Sequence, residues 1–287
     1  MMCAVIQTYH LGLIGWPVEH SLSPVMHKAA LQAAGLNGDY SLFPIAPLPA
    51  GEAELFRLVD RMKHGDLTGL NVTIPHKQTV CAFLDNLTPA ARTIGAVNTV
   101  FLNSNGQLWG DNTDWSGFRQ DLANQYEGQS GLVQILGAGG AARAIVYSLM
   151  MDGWQINISS RRPDQAKQLA AEFSSAHHPV SAFPVEQFSL LPDVTLIVNT
   201  TPAGMSPDIH SSPWPVDLPF PRRAFIYDLI YNPAETRLMS VARSAGLTAV
   251  NGLGMLAGQA ARAFEIWTGH SIPIDVFQQA ACERISL

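Results

Sequence analysis

The fold is decided by the stretch Leu132-Val133-Gln134-Ile135-Leu136-Gly137-Ala138-Gly139-Gly140-Ala141-Ala142-Arg143-Ala144. A short apolar run leads into a glycine turn and then into an alanine-rich helical pattern, which is the context of a dinucleotide-binding fingerprint. Gly137 would allow the tight turn, Gly139 would let the backbone approach a pyrophosphate, and Ala142 would permit close packing of helix on strand. The first amides of the helix would face the phosphates. The predicted phosphate-binding loop consists of Gly137, Ala138, Gly139, Gly140 and Ala141. A glycine loop that only turns a corner is the alternative.

Strand and helix patterns alternate along the second half of the chain. Apolar runs predict strands at 132–136, 156–159, 194–199, 225–229 and 248–250, with helical patterns at 141–151, 163–173 and 236–245. Such alternation implies right-handed βαβ units and a parallel, doubly wound sheet. The stretch 201–221 is rich in proline, serine and glycine, which predicts a loop over the cofactor face. We therefore expect a Rossmann-like nucleotide-binding domain over residues 114–250.

The first half of the chain predicts another α/β domain, over residues 1–113. Strand patterns lie at 11–15, 39–45 and 69–74, helical patterns at 23–34, 52–64, 77–84 and 88–94, and a hairpin at 98–102 with 107–110. Ser23 before Pro24 is typical of a helix N-cap, and Asp114 after the hairpin is a second N-cap candidate. The nucleotide domain does not need the helices predicted at 255–267 and 274–285. Residues 251–287 are therefore expected to fold back onto the first half.

Composition limits the classes of protein that this chain can represent. With 287 residues, 47% hydrophobic and 14% charged, the chain is long enough for about two well-packed domains. A net charge of −6 and the lack of a basic patch argue against a nucleic-acid partner. No apolar run is long enough to cross a membrane, and the first residues lack a signal-peptide pattern. The three cysteines are far apart in sequence, which favours a reducing, cytoplasmic compartment over a disulfide framework.

The end of the second nucleotide-domain strand indicates which dinucleotide binds. An acidic residue about 20 positions after the glycines usually binds the ribose hydroxyls, whereas an arginine accommodates a 2′-phosphate. This chain has Ser160-Arg161-Arg162 at that point. Arg161, with Arg162 as second choice, is therefore predicted to bind the phosphate of NADP(H). Asp164 is close enough in sequence to leave NAD open as the alternative.

Several stretches in a fixed order resemble the shikimate dehydrogenase family, and the resemblance covers nearly the whole chain. They are residues 15–24 (Gly-Trp-Pro-Val-Glu-His-Ser-Leu-Ser-Pro), 71–77 (Asn-Val-Thr-Ile-Pro-His-Lys), 95–99, 110–114, the loop at Gly137, 227–231 and 251–256 with Gln259. The resemblance implies reversible, NADPH-linked reduction of 3-dehydroshikimate to shikimate, a step of chorismate and aromatic amino-acid biosynthesis.

The same resemblance places the reacting residues at Lys77 and Asp114. Reduction of a ketone needs a hydride donor on one face and a proton source at the oxygen. A lysine beside a carboxylate can supply the proton, because the carboxylate favours the charged form of the lysine. Lys77 would then polarise the carbonyl and pass a proton, directly or through Asp114. A solvated surface lysine is the alternative, although the chain has only three other lysines, Lys28, Lys63 and Lys167.

The resemblance also implies the binding contacts. Ser21 and Ser23, with Tyr231, would hold the substrate carboxylate, and the ring hydroxyls would contact Asn71, Thr73, Asn98 and Gln259. The cofactor contacts would include Ser160, Thr200 and Gly252 in addition to the glycine loop and the arginine pair. In the family the serine pair favours shikimate over quinate. Gln165 stands where related sequences have a second arginine, so the phosphate contact would depend on Arg161 and Arg162.

Two other functions stay open on the sequence alone. One is a quinate/shikimate dehydrogenase that uses NAD. The other is a nucleotide-binding regulator without turnover, although such a protein would not need to retain Lys77 and Asp114. No metal site is predicted, because His20, His27 and His76 match no zinc spacing. The expected partner is a small-molecule substrate, and the expected assembly is a monomer or a homodimer.

Overall fold

The computed structural model describes residues 7–176, 178–184 and 193–285. By packing, the chain separates into two units. Unit 1 contains the residues up to Gly117 together with those from Ala257 onward, and unit 2 runs from Phe118 to Leu256. The limits predicted from the sequence, 113/114 and 250/251, lie a few residues before these divisions. The predicted limits concern functional domains, and they stay predictions.

Unit 1 is built on a mixed six-stranded sheet. Its strands are β1 (Thr8–Gly15), β2 (Asn37–Pro44), β3 (Gly69–Val72), β4 (Asn86–Leu87), β5 (Thr99–Leu102) and β6 (Leu108–Asp111). They lie in the order β2-β1-β3-β5-β6-β4, with β1 parallel to β2 and β3. The predicted hairpin is confirmed, since β5 and β6 pair antiparallel, with Val100 opposite Gly110.

Short helices cover this sheet. They are α1 (Ser23–Ala33), α2 (Glu52–Asp60), a 3₁₀ helix (Thr79–Phe83), α3 (Pro89–Ile94) and, from the C-terminal part of the chain, α9 (Ile274–Ile285). The C-terminal segment is an integral part of unit 1, because a Cβ atom at Gly69 of β3 would lie 2.4 Å from the indole ring of Trp267. Phe264 and Phe277 likewise contact the buried ring of His27. The last helices therefore pack against residues from the first half of the chain.

Two local predictions in unit 1 are wrong. Helix α1 begins at Ser23 itself, with Leu22 at the N-cap position and no side-chain cap. Ser23 is therefore not the N-cap, and the hydroxyl of Ser21 instead accepts a hydrogen bond from the Ser23 amide at 3.2 Å. The α-helix predicted at 77–84 is only the short 3₁₀ helix, so Lys77 lies in the turn before it.

Unit 2 has the predicted doubly wound architecture. Its strands are β7 (Leu132–Leu136), β8 (Gln155–Ser159), β9 (Val180–Ala182), β10 (Val194–Asn199), β11 (Phe225–Asp228) and β12 (Ala249–Asn251). All are parallel and lie in the order β12-β11-β10-β7-β8-β9, the order of a dinucleotide-binding sheet. The helices are α5 (Gly140–Met151), α6 (Pro163–Phe173) and α7 (Arg237–Ser244).

Two further helices contain the points at which the chain passes from one unit to the other. Helix α4 (Asp114–Gln125) contains the first division and α8 (Leu253–Thr268) the second.

The core of unit 2 lies on both faces of its sheet, with Val133 and Ile135 of β7 in one apolar cluster and Leu136 in the other. In the described part of the chain, no helix is long and apolar enough to cross a membrane.

Candidate active site

Lys77 and Asp114 form a buried ion pair in unit 1. The Lys77 Nζ atom lies 2.6 Å from Asp114 Oδ2, and the side chains are only 14% and 7% exposed. Lys77 lies in the turn after β3, and Asp114 is the first residue of α4, shortly after the hairpin that ends in β6. Two residues that are far apart in sequence therefore meet because they follow β3 and β6, which pair with the two edges of β5 in one sheet.

The second carboxylate oxygen of Asp114 is held by an amide. Asn98 Nδ2 donates to Asp114 Oδ1 at 2.8 Å and to Thr113 Oγ1 at 3.0 Å, and it lies 3.4 Å from Gln259 Oε1. Because α4 begins at Asp114 itself, Asp114 does not stand at the N-cap position that the sequence predicted for it. The carboxylate is oriented from two sides, as a proton-transfer group requires.

Neutral polar side chains continue from this pair along unit 1. Asn71 is buried at the end of β3, and its Nδ2 donates to the Asn98 carbonyl at 3.1 Å. Thr73 is half-buried two residues further on, and its amide donates to the carbonyl of Ile14 at 2.8 Å. Ser23 is buried and Ser21 is half-buried at the start of α1. Unit 1 thus contains every substrate residue that the sequence predicted except Tyr231.

Tyr40, which the sequence analysis did not single out, contacts two of the predicted substrate residues, Asn71 and Ser23. Its hydroxyl donates to Asn71 Oδ1 at 2.8 Å, and its ring stacks on His27 with centroids 4.6 Å apart. Burial raises the pKa of the Tyr40 phenol, and a hydrogen bond with Ser23 partly opposes this shift. Tyr40 thereby joins the amide at the end of β3 to the serine hydroxyl at the start of α1. An aromatic residue in a strand resembles ordinary core, so no sequence signal separated it.

The glycine loop of unit 2 has the geometry of a phosphate site. Gly137 has a φ of +111°, and a Cβ atom there would lie 2.4 Å from Thr200 Oγ1. Gly139 is the N-cap of α5 and faces open space, with no side chain capping the helix. The opening of α5, at Gly140 and Ala141, therefore leaves backbone amides free to bind an anion. Thr200 lies beside this loop because it follows β10, the neighbour of β7, and both its amide and its hydroxyl donate to the Leu136 carbonyl.

The arginine pair lies at the carboxyl end of β8. Arg161 and Arg162 are exposed, and Arg162 is the N-cap of α6. The Arg162 amide donates to Ser160 Oγ at 3.2 Å, which bends the chain at this point. Among the described residues, no carboxylate lies within ion-pair distance of either guanidinium. Together with the glycine loop, these residues fit a phosphorylated dinucleotide.

Tyr231 and Gly252 lie in the loops that follow β11 and β12 in unit 2. Burial raises the pKa of the Tyr231 phenol. Gly252 must lack a side chain, since a Cβ atom there would lie 2.2 Å from the carbonyl oxygen of Leu229. The Gly252 amide donates to the Ile230 carbonyl at 3.2 Å, so the two loops support each other.

A buried carboxylate that the sequence analysis did not single out holds the β11 loop. Asp228 accepts hydrogen bonds from Asn199 Nδ2, the Ile230 amide and Thr236 Oγ1 at 2.8, 3.1 and 2.7 Å. Desolvation raises its pKa to about 6, although these three donors oppose the shift. Asp228 therefore orders the chain around the cofactor edge of the sheet.

Within residues 7–176, 178–184 and 193–285, no group of three or more His, Cys, Asp or Glu side chains could hold a metal ion.

A Rossmann-type unit, joined in one chain to an α/β unit with a buried lysine–aspartate pair, defines a nicotinamide-dependent oxidoreductase. Two family models match the chain, the shikimate dehydrogenase substrate binding domain at residues 13–100 and the shikimate 5′-dehydrogenase C-terminal domain at 252–282. The shikimate dehydrogenase (NADP(+)) of Symbiobacterium thermophilum is 42% identical over 278 residues, covering 94% of this chain and 92% of that protein. The chain belongs to the shikimate dehydrogenase family.

Solved structures agree with this assignment. The shikimate 5-dehydrogenase of Thermus thermophilus, in complex with NADP(H) and shikimate, superposes with a TM-score of 0.82 at 37% identity. That match covers 96% of this chain and 99% of the other. The quinate dehydrogenase of Corynebacterium glutamicum, in complex with NAD, has a TM-score of 0.86 at 29% identity over 96% of this chain and 99% of its own.

Proposed function

We propose that this chain catalyses the reversible, NADPH-dependent reduction of 3-dehydroshikimate to shikimate, with Lys77 and Asp114 as its proton-transfer pair. The observation that carries the proposal is the 2.6 Å contact between the two side chains, which are both nearly buried. Burying a charge pair costs desolvation free energy, so the presence of this pair among neutral hydrogen-bonding groups favours a chemical role.

The residues of unit 2 would hold the cofactor by its phosphates and its adenosine ribose. The amides that open α5 at Gly140 and Ala141 would bind the pyrophosphate, and Arg161 and Arg162 would bind the 2′-phosphate. NADPH bound there supplies the hydride that the ketone requires. Gln165 cannot add a third cationic contact, so the preference for the phosphorylated cofactor would depend on the two arginines.

Lys77 would act at the ketone oxygen. Its ammonium is held by Asp114, and this contact leaves other Nζ hydrogens free to donate to a carbonyl. As negative charge develops on that oxygen, Lys77 would stabilise it and transfer a proton, directly or after exchange with Asp114. In the oxidation direction the same pair would take the proton from the substrate hydroxyl.

The substrate would be oriented by uncharged groups. The hydroxyls of Ser21 and Ser23 would bind its carboxylate with help from Tyr231, and Asn71, Thr73, Asn98 and Gln259 would bind its ring hydroxyls. Amides and hydroxyls both donate and accept, which suits a ring with several hydroxyl groups. The cytoplasmic location and the monomeric or homodimeric state predicted from the sequence stay predictions.

The test is the initial rate of cofactor reduction with shikimate or quinate, each with NADP⁺ or NAD⁺. We expect turnover only with shikimate and NADP⁺. Comparable rates with quinate or NAD⁺ would favour the broader activity that the similarity to a quinate dehydrogenase suggests. Binding of NADP⁺ without turnover of either substrate would contradict the proposal and support a regulatory protein.

A further inference from the structure

Residues 95–98 join the two members of the lysine–aspartate pair. The Val97 amide donates to the Lys77 carbonyl at 2.7 Å. One residue further on, Asn98 Nδ2 donates to Asp114 Oδ1 at 2.8 Å. The backbone of Lys77 and the carboxylate of Asp114 are therefore both placed with reference to one short segment.

Asn112 joins the backbone of Asp114 to the same segment. The side chain is completely buried, and both of its ends are used. Asn112 Nδ2 donates to the Ala96 carbonyl at 2.9 Å, and Asn112 Oδ1 accepts from the Asp114 amide at 3.1 Å. Because Asp114 is the first residue of α4, its amide has no partner within the helix, and Asn112 supplies one.

A second carboxylate keeps the backbone of Asn112 in place. Asp111 Oδ1 accepts from the Asn112 amide at 2.8 Å and from Thr88 Oγ1 at 2.6 Å. Thr88 is itself the N-cap of α3, where its hydroxyl oxygen accepts from the Ala91 amide at 3.2 Å. The Asn112 backbone is thus fixed on one side by α3, and its side chain reaches residues 95–98 on the other.

We infer that Asn112 is a positioning residue for the reaction, because it fixes the start of α4 against the segment that binds Lys77. It thereby sets how closely the carboxylate of Asp114 is held to the ammonium. This inference rests on the proposed role of Lys77 and Asp114. Asn112 contacts neither charged group through its side chain, so it acts only through the backbone of Asp114 and the Ala96 carbonyl.

The test combines Asn112→Ala with Lys77→Ala in a double-mutant cycle on the full chain, using shikimate oxidation by NADP⁺. In the otherwise unaltered protein we expect Asn112→Ala to lower kcat by about 10²-fold, the size of effect that a misplacement of about 1 Å can cause. In the Lys77→Ala background the same change should lower kcat by less than about threefold, because a pair that is already broken cannot be misplaced. The KM for NADP⁺ should stay within about twofold.

The KM for shikimate supplies a reading that general damage to the fold would not produce. Asn112→Ala should lower kcat and leave this KM within about threefold, because Asn112 contacts neither charged group through its side chain, whereas damage to unit 1 would raise the KM as well. If Asn112→Ala does not fold, Asn112→Asp takes its place, since it keeps the size and the acceptor for the Asp114 amide but loses the donor to Ala96.

Asn103→Ala is the matched control. Asn103 lies at the opposite end of the same hairpin, where its Oδ1 accepts from the amides of Asn105 and Gln107 at 3.0 and 2.9 Å. This variant should keep the kcat and the KM values of the unaltered chain. Equal losses from Asn112→Ala in both backgrounds, or no loss in the unaltered one, would overturn the inference. Full turnover in Lys77→Ala alone would instead overturn the proposed role of the pair, so the two failures are distinguishable.

Discussion

Among single residues, Lys77 is the one whose removal should affect turnover most. We expect Lys77→Ala to lower kcat by roughly 10²–10⁴, the usual contribution of a general acid–base group, with little change in NADP⁺ affinity. Lys63→Ala is the matched control, because Lys63 pairs with Asp85 at 3.2 Å on the exposed surface of the same unit. Steady-state kinetics of both variants decide the matter, and near-normal turnover in Lys77→Ala would remove this lysine from the mechanism.

Arg161 should determine the choice between the two nicotinamide cofactors. Removal of a guanidinium that binds the 2′-phosphate weakens the binding of NADP⁺ and does not affect the binding of NAD⁺. Arg161→Ala should therefore lower the ratio of kcat/KM for NADP⁺ to kcat/KM for NAD⁺ by about tenfold or more. Arg222→Ala, which removes another arginine of unit 2 that is also exposed, should leave the ratio unchanged. If both variants keep the original ratio, the phosphate contact belongs to Arg162 or to backbone amides.

Asp228 should make the folded protein less stable as the pH rises. Its pKa is about 6 in the folded state and 3.8 as the reference value, so the folded state retains a proton that the unfolded state loses. From this residue alone, the free energy of unfolding should fall by about 2 kcal/mol between pH 4.5 and pH 7.5. Asp228→Asn keeps the acceptor for Asn199 and Ile230 and does not ionise.

Urea unfolding of both proteins at the two pH values measures this effect. Because other groups titrate in the same range, the informative quantity is the difference between the unaltered chain and Asp228→Asn. His27 acts in the opposite direction, since burial lowers its pKa to about 3 and the unfolded chain binds the extra proton below pH 6.5. An identical pH dependence in the two proteins would show that Asp228 ionises freely in the folded state.

The sequence predicted individual site residues with uneven success. Asn71 and Asn98 belong to two different stretches that the resemblance identified, and they lie together in the structure. Tyr40 and Asp228 were not singled out, because a tyrosine in a strand and an aspartate at a strand end have common structural roles. Ser21 was identified as a ligand group, but its hydrogen bond to the Ser23 amide depends on where α1 begins, and sequence patterns locate helix ends poorly.

The turn between β7 and α5 is the element whose geometry should be least tolerant of change. At Gly137 the φ of +111° and the 2.4 Å approach of Thr200 Oγ1 both oppose a side chain. We expect Gly137→Ala to raise the Kd for NADPH by about tenfold or more, since a shift of about 1.4 kcal/mol suffices. Titration of cofactor fluorescence with NADPH measures the change directly.

Gly153→Ala separates loss of the phosphate site from backbone strain. Gly153 follows the other end of α5, and it also has a positive φ, +75°, but has no neighbour that a Cβ atom would meet. This variant should lower the melting temperature through strain and leave the Kd for NADPH unchanged. Equal effects of Gly137→Ala and Gly153→Ala on binding would mean that the turn matters only for the stability of the helix.

Elements with strong local signals were predicted accurately, and two of the shortest strands were not predicted. The apolar run of β7, the proline that opens α6 and the amphipathic pattern of α9 predicted the observed limits of these elements. Strands β4 and β9 have two and three residues, which is too short for a periodic pattern, so they were not predicted. The 3₁₀ helix after Lys77 was predicted as an α-helix, because the two have similar side-chain spacing over one turn.

For the whole molecule, the two units differ in how the chain builds them. Unit 1 needs both ends of the chain, since Trp267 of α8 fills the space over Gly69 and donates from Nε1 to the Val100 carbonyl at 3.0 Å. Unit 2 is one continuous segment with its own sheet and apolar clusters. A chain that ends at residue 256 should therefore lose the fold of unit 1, whereas the segment for unit 2 should fold by itself.

The nucleotide-binding unit has two sets of limits that can be compared by experiment. The sequence predicts residues 114–250, and packing gives residues 118–256. Residues 114–250 omit Asn251, which pairs with Asp228, and Met255, whose amide donates to Asp121. Asp121 also accepts a hydrogen bond from the buried hydroxyl of Tyr227, so the shorter segment leaves this carboxylate with fewer donors. We expect residues 118–256 to unfold cooperatively and to bind NADP⁺ within about tenfold of the full chain, and residues 114–250 to melt at a lower temperature. Calorimetry of the two fragments decides between the boundaries, and equal melting temperatures would mean that residues 251–256 contribute nothing to the stability of the nucleotide-binding unit.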